Sequence, residues 1–306
     1  MDKPSPAAPT PEEAQARIHR VEELAASNAP MDDLVAAVRA VHLGCTIKIV
    51  TAEAGKRFFR AVKMTEKPVV KSRVRYPPAQ KASLGRANDE GHPVFYASFA
   101  DSATPDGSGN LIACAFESRA KAGELFAVGE WVAVEDLILY PFGFQSPRVS
   151  AMARGTQPWI RQSEPVEAMK VINAWESKVF TRMVRPGEER EYRVGVALTK
   201  YALNMRDDFG FTDRISGIIF PAVATELNTD NVCLTPAAAD NGLELLDVRM
   251  LEVKNLRLLE DGDECPETGA VGAAEVTIYD RSYPCNGKDE IKWPQTWIMR
   301  STFTSF

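Results

Sequence analysis

The chain has 306 residues, 45% hydrophobic and 25% charged, a composition that suits a globular protein with room for a substantial core. A formal net charge of -6 and a pI near 5.4 argue against binding nucleic acid through phosphate neutralisation. No apolar run approaches the ~18 residues that span a bilayer, and the first residues lack the apolar core of a secretory signal, so the reading is a cytoplasmic protein that avoids the membrane.

The opening MDKPSPAAPTPEEA is rich in Pro and Ala and reads as a disordered tail. Ile18, Val21 and Leu24 then recur at helical spacing across residues 11–27. Leu34, Val35, Val38 and Val41 stripe a second helix from Asp32 to about His42, which Gly44 ends. Residues 1–44 are therefore a tail plus a helical extension, docked on a main body of residues 45–306.

From Cys45 the pattern turns to short strands: CTIKIV, FFRAV, KPVVKSRVRY and PVFYAS. A Gly/Ser/Asp/Pro loop over Asp101–Gly109 leads into IACAFESRAKAGELF, predicted as a helix capped by Asn110 and ended near Gly129. WVAVEDLILY reads as a strand, and helices are expected near Pro165–Arg182 and Glu188–Asn204. Strands GIIFPAVA and NVCLTP follow, then LELLDVRMLEVKNLRLL, then EVTIYDR and an irregular tail around Trp293–Trp297. Strands and helices mix without regular βαβ alternation, which favours α+β over a doubly wound sheet.

Five scattered cysteines form no CxxC pair, and His19, His42 and His92 are far apart, so a zinc site or a Ser-His-Asp triad has little material. Cys265 and Cys285 alone sit in turn-rich surroundings where pairing is conceivable. Charge is uneven. Between Lys56 and Arg86 ten basic residues face one acidic residue, Glu66, a run suited either to an anionic ligand or to a solvated face.

One segment concentrates chemistry: Gly85-Arg86-Ala87-Asn88, then Gly91, then a strand ending in Tyr96-Ala97-Ser98. Phe58-Phe59-Arg60 lies upstream, Ala115-Phe116-Glu117-Ser118 downstream, and Gly217-Ile218-Ile219-Phe220-Pro221-Ala222 further on. In this order the pieces resemble the RES domain family over residues 57–237. Phe220 and Ala222 depart from the family's tyrosine and serine. The resemblance implies an ADP-ribosyltransferase-like fold, an α+β split mixed β-sheet core with flanking helices. It also implies NAD as substrate with no separate cofactor, and a toxin of toxin–antitoxin type whose cognate antitoxin carries a helix-turn-helix domain. Oligomeric state is left open, a homo-oligomer included. The implied ligand-binding residues are Arg60, Arg86, Tyr96, Ser98 and Ala222, and the implied catalytic residue is Glu117.

The residue chemistry agrees with that expectation. Nicotinamide leaves its ribose as a neutral base, so the demand falls on stabilising an oxocarbenium-like sugar, which a carboxylate such as Glu117 can do. On the predicted helix, Ala113 and Ala120 leave room beside Glu117, Lys121 offers a surface ion-pair alternative, and Glu124 is the second carboxylate to consider. Arg60 and Arg86 carry guanidinium forks suited to a diphosphate. Tyr96 is placed opposite Phe95 by strand alternation and can stack on a ring. Asn88 is expected to shape its turn and His92 to be structural. Three activities follow: NAD cleavage with water or phosphate as acceptor, ADP-ribosyl transfer to a protein, or a catalytically impaired module that binds NAD, ADP-ribose or a protein.

Overall fold

The computed structural model describes residues 7–45, 49–99, 108–143, 167–182, 184–185, 187–205, 214–222, 230–258, 272–285, 288–295 and 301–305. It is mixed α+β. In chain order the elements are α1 (Pro11–Ala26), α2 (Met31–His42), β1 (Val50–Ala52), β2 (Arg57–Lys63), β3 (Phe95–Phe99), α3 (Ser108–Glu117), β4 (Leu125–Ala133) and β5 (Leu137–Pro141). They continue with α4 (Glu167–Thr181), α5 (Arg193–Leu203), β6 (Gly217–Pro221), β7 (Asp230–Leu234), α6 (Pro236–Gly242), β8 (Leu243–Leu258), β9 (Gly272–Arg281) and β10 (Ser301–Ser305). The chain forms two compact units, one of Met1–Val50, Pro78–Pro93 and Ile138–Pro221, the other of Thr51–Pro77, Val94–Leu137 and Ala222–Phe306.

In the first unit, α1 begins at a capping box in which Thr10 and Glu13 exchange side-chain-to-backbone hydrogen bonds, with Pro11 at the first helical position. The expected stripe is buried at Ile18, Val21, Leu34, Val38 and Val41, while Leu24 and Val35 are half-buried at its margin. These helices pack on α4 and α5. β5 and β6 pair in parallel, Leu139 opposite Gly217. The turn of residues 85–88 closes by the Gly85 N–H donating to the Asn88 carbonyl at 2.9 Å. Asn88 also donates to the Ser83 and Asp89 carbonyls, shaping the turn as expected. A Cβ at Gly85 would lie 2.4 Å from Asn88 Oδ1, so a side chain there would push the Asn88 amide out of the place in which it bonds the turn.

Beside that turn, Asp89 receives Lys200 of α5 at 2.8 Å. Burial raises the Asp89 carboxyl, but Lys200 and the Glu90 N–H outweigh it and hold it below the usual carboxylate range. A folded-state value below the unfolded one means stability that is present above about pH 4 and lost as pH falls through the folded value. Asp89→Asn is therefore expected to cost about 0.5 kcal/mol at pH 7, after discounting for partial exposure, and less at about pH 3, where the carboxylate takes up its proton. Urea unfolding at the two pH values checks this, and an equal deficit at both would refute it.

The second unit is built on one antiparallel run of strands in the order β7-β3-β2-β4-β8-β9-β10. α3 lies on one face of it, burying Leu111, Ile112, Ala115 and Phe116 against Phe59, Phe126, Val128, Leu251, Val253 and Val276. On the other face Phe95 meets Trp131 edge-on, with ring centroids 5.3 Å apart, and Phe58 packs on Phe99.

Three local expectations need correction. KPVVKSRVRY is not a strand: Lys71–Arg73 form a 3-10 turn, and Val70 makes a single bridge to Glu290. Its valines do not share a buried face, since Val69 and Val70 are exposed and Val74 is buried. Lys71 and Arg75 instead lay their cations against the Trp131 ring. WVAVEDLILY is the end of β4, a turn, and β5.

The helix predicted over 112–126 starts earlier and stops at Glu117. Arg119 is left-handed at φ 49, its N–H bonds the Phe116 carbonyl, and the Ala120 N–H reaches back to the Ala115 carbonyl. That is a Schellman ending, sealed by buried Ala115 and Ala120. Asn110 consequently lies inside the helix rather than at its cap. Arginine in a position that favours glycine carries strain, so Arg119→Gly is expected to raise stability by about 0.5–1 kcal/mol. The urea midpoint measures it, and a lowered midpoint would contradict the strain.

Candidate functional site

Among the described residues β2 and β3 pair at Phe58 opposite Phe99 and Phe59 opposite Ser98. Beyond that point the strands part: β2 runs on to Lys63 beside β4 alone, while Phe95–Ala97 stay with β7. The fork leaves main-chain acceptors without a strand partner, and Arg60 meets this need. Its Nη1 donates to the Tyr96 carbonyl at 2.6 Å and its Nε to the Arg75 carbonyl at 2.8 Å. The guanidinium also lies 5.7 Å from the centre of the Phe95 ring. Burial lowers the Arg60 pKa to about 10, with the Cys233 and Cys114 thiols acting the other way, so it stays charged at neutral pH.

On the face of the sheet towards α3, the register aligns Tyr96 with Cys233 and Ser98 with Asn231. The Tyr96 hydroxyl donates to Glu117 Oε2 at 2.8 Å, and Asn231 Nδ2 donates to Glu117 Oε1 at 2.9 Å. Tyr96 and Glu117 are half-buried and Asn231 is fully buried. Both carboxylate oxygens are thereby oriented, and each keeps a further lone-pair direction for a ligand. Ser98 is buried beside them and donates to Asn110 Oδ1 at 2.9 Å. The Cys114 thiol donates to the Phe59 carbonyl at 3.3 Å, and burial pushes it up to about 12, which makes it inert as a nucleophile.

Of the residues singled out in the sequence, Arg60, Tyr96, Ser98 and Glu117 gather at this fork, with Arg60 engaging main chain and Glu117 engaged by side chains. Arg86 belongs to the first unit, where it donates to the Phe180 carbonyl and lies 5.9 Å from the Tyr192 ring centre. Ala222 is fully buried directly after β6. Glu124 is not on a helix: it closes the turn before β4, receiving the Lys121 N–H and pairing with Lys63. Ala120 and Lys121 likewise lie past the end of the helix that carries Glu117. His92 sits exposed, its ring nitrogen on the Glu90 carbonyl.

Asn231 was missed. Its signal was a polar side chain within NVCLTP, in a strand whose every residue proves to be buried. The basic run from Lys56 to Arg86 is partly neutralised by acids distant in sequence. Arg57 pairs with Glu130, Lys63 with Glu124, Lys67 with Asp280 and Arg75 with Asp240. Cys285 is free and buried, and Cys265 lies outside the described residues. Among the described residues no cluster of His, Cys, Asp or Glu is placed to hold a metal, and no helix is long and apolar enough to cross a membrane.

A scan against protein-family models finds no match to this chain, and a search of curated proteins finds no significant match.

Proposed function

We propose that the protein is an NAD-consuming enzyme that breaks the nicotinamide–ribose bond, with water or phosphate as acceptor. The observation that carries this reading is a half-buried carboxylate, Glu117, held at both oxygens by Tyr96 and Asn231 beside a forked sheet. Such a group suits a reaction whose difficulty is positive charge building on a sugar. Its orientation is set before substrate arrives, so little reorganisation is needed as charge develops. A ribose hydroxyl donates to a free lone pair of Glu117, and the carboxylate's charge offsets the oxocarbenium character of the transition state. Nicotinamide departs as a neutral base and needs no general acid.

The fork also supports the ADP-ribosyltransferase-like split sheet implied by the resemblance to the RES family. In this reading Tyr96 is doubly useful: its carbonyl is braced by Arg60, and its hydroxyl sets Glu117. Arg60 serves chiefly as a positioning residue, since two of its donors already meet backbone carbonyls.

The test is nicotinamide release from NAD by the purified chain, with and without phosphate. Release supports the reading, and its dependence on phosphate identifies the acceptor. Failure to release nicotinamide while still binding NAD would replace the enzyme by a binding module, a reading that Ala222 in the family's serine position would then explain.

A further inference from the structure

The Glu117 site contains an unmet polar atom. Asn231 is 1% exposed, and its Oδ1 has no hydrogen-bond partner among the described residues. The amide cannot turn to relieve this, because Nδ2 donates to Glu117 at 2.9 Å and a flip would set Oδ1 against a carboxylate oxygen. Buried acceptors are almost always paired in folded proteins, so an unpaired one beside an oriented carboxylate calls for an explanation, and a ligand that completes the site is one.

Geometry restricts what completes it. Oδ1 and Nδ2 share one carbon and lie about 2.3 Å apart, so Oδ1 is within about 5 Å of the Glu117 oxygen that Nδ2 meets. Two acceptors at that separation, one charged and one neutral, match two adjacent hydroxyl donors. Building on the function proposed above, we infer that Asn231 is a specificity-determining residue that recognises a vicinal diol. Glu117 accepts one hydroxyl of the nicotinamide-side ribose, and Asn231 Oδ1 accepts its neighbour. The site thereby selects an intact ribose over a deoxy sugar, while Nδ2 holds the carboxylate in place.

The test compares kcat/KM for NAD with that for two analogues, each lacking one hydroxyl of that ribose, in the native chain and in Asn231→Leu, Asn231→Ala and Asn231→Asp. The native chain is expected to disfavour both analogues by about ten- to a hundredfold. In Asn231→Leu or Asn231→Ala the preference over one analogue collapses to within about threefold, whereas the preference over the other persists. A general loss of activity cancels in these ratios, so a merely structural role for Asn231 would leave them unchanged. Asn231→Asp keeps an acceptor at the Oδ1 position, and with it the preference that Oδ1 reads, but gives up the Nδ2 donor that holds Glu117. It also sets a second carboxylate beside Glu117, moving the acidic limb of the pH profile upward. Unchanged ratios in both Asn231→Leu and Asn231→Ala overturn the inference and leave the enzyme reading standing. No nicotinamide release by the native chain at any pH overturns both.

Discussion

Glu117→Gln is expected to lower the rate of nicotinamide release by about a thousandfold while leaving the fold and ligand binding in place. Glutamine matches glutamate in shape, and both hydrogen-bond partners tolerate the exchange. Its oxygen still accepts from Asn231 Nδ2, and the Tyr96 hydroxyl, a donor to Glu117 in the native chain, can rotate to accept from the new amide. On the proposed reaction, what disappears is the negative charge that would oppose positive charge on the sugar. The loss should therefore fall on kcat, with KM for NAD little changed, the pattern of an interaction strengthened in the transition state. Single-turnover release, with ADP-ribose binding measured by calorimetry, separates the two. A rate within tenfold of native would remove Glu117 from the chemistry, and lost binding would make it a ligand anchor instead.

The largest effect on stability is expected in the first unit, at the buried pair of His42 and Glu176. His42 Nε2 lies 2.8 Å from Glu176 Oε1, with the two side chains 2% and 3% exposed. Nδ1 meets the Val38 carbonyl, which can only accept, so that nitrogen carries a proton. Gly143 donates its N–H to the second Glu176 oxygen, and Tyr201 stacks on the imidazole at 4.7 Å. The pair joins α2 to α4 and so ties the N-terminal helices to the rest of their unit. Removing one partner leaves the other's buried polar atoms without a hydrogen-bond partner. His42→Ala is expected to cost about 3–5 kcal/mol, and Glu176→Gln less, because its amide oxygen can still accept. Replacing both partners by leucine should recover part of the loss, since no buried polar group is then left unpaired. Urea unfolding of the two single variants and the double variant checks this. A His42→Ala cost below about 1 kcal/mol would show that this pair does not hold the helices.

Local signals carried much of the fold. The capping box at Thr10, Pro11 at the first turn, the stripe through Ile18 to Val41 and the stop at Gly44 are effects within a few residues of one another, and the helices form where that pattern places them. Strand alternation likewise sorted Phe95 into the core and Tyr96 onto the opposite face, where Glu117 waits. The end of α3 was hidden because a Schellman turn normally announces itself with glycine, and here Arg119 adopts the left-handed conformation. KPVVKSRVRY failed as a strand for a different reason. Its cations find the Trp131 ring and its neighbours supply only one bridge, and neither partner is visible from the segment itself.

The sequence alone determined the residue types of the site and the local elements that present them: an arginine after paired phenylalanines, a tyrosine on an alternating strand, a glutamate on an apolar helix. Tertiary structure decided which of them meet. The early parting of β2 from β3 turns Arg60 towards main chain, and the register of β3 with β7 brings Asn231 to Glu117. Acids from β4, β8's preceding helix and β9 neutralise charges that the sequence shows as one basic run. The physical reason is the same in each case: helix caps and side-chain alternation act over a few residues, whereas strand register and ion pairing act between residues that only the fold makes neighbours.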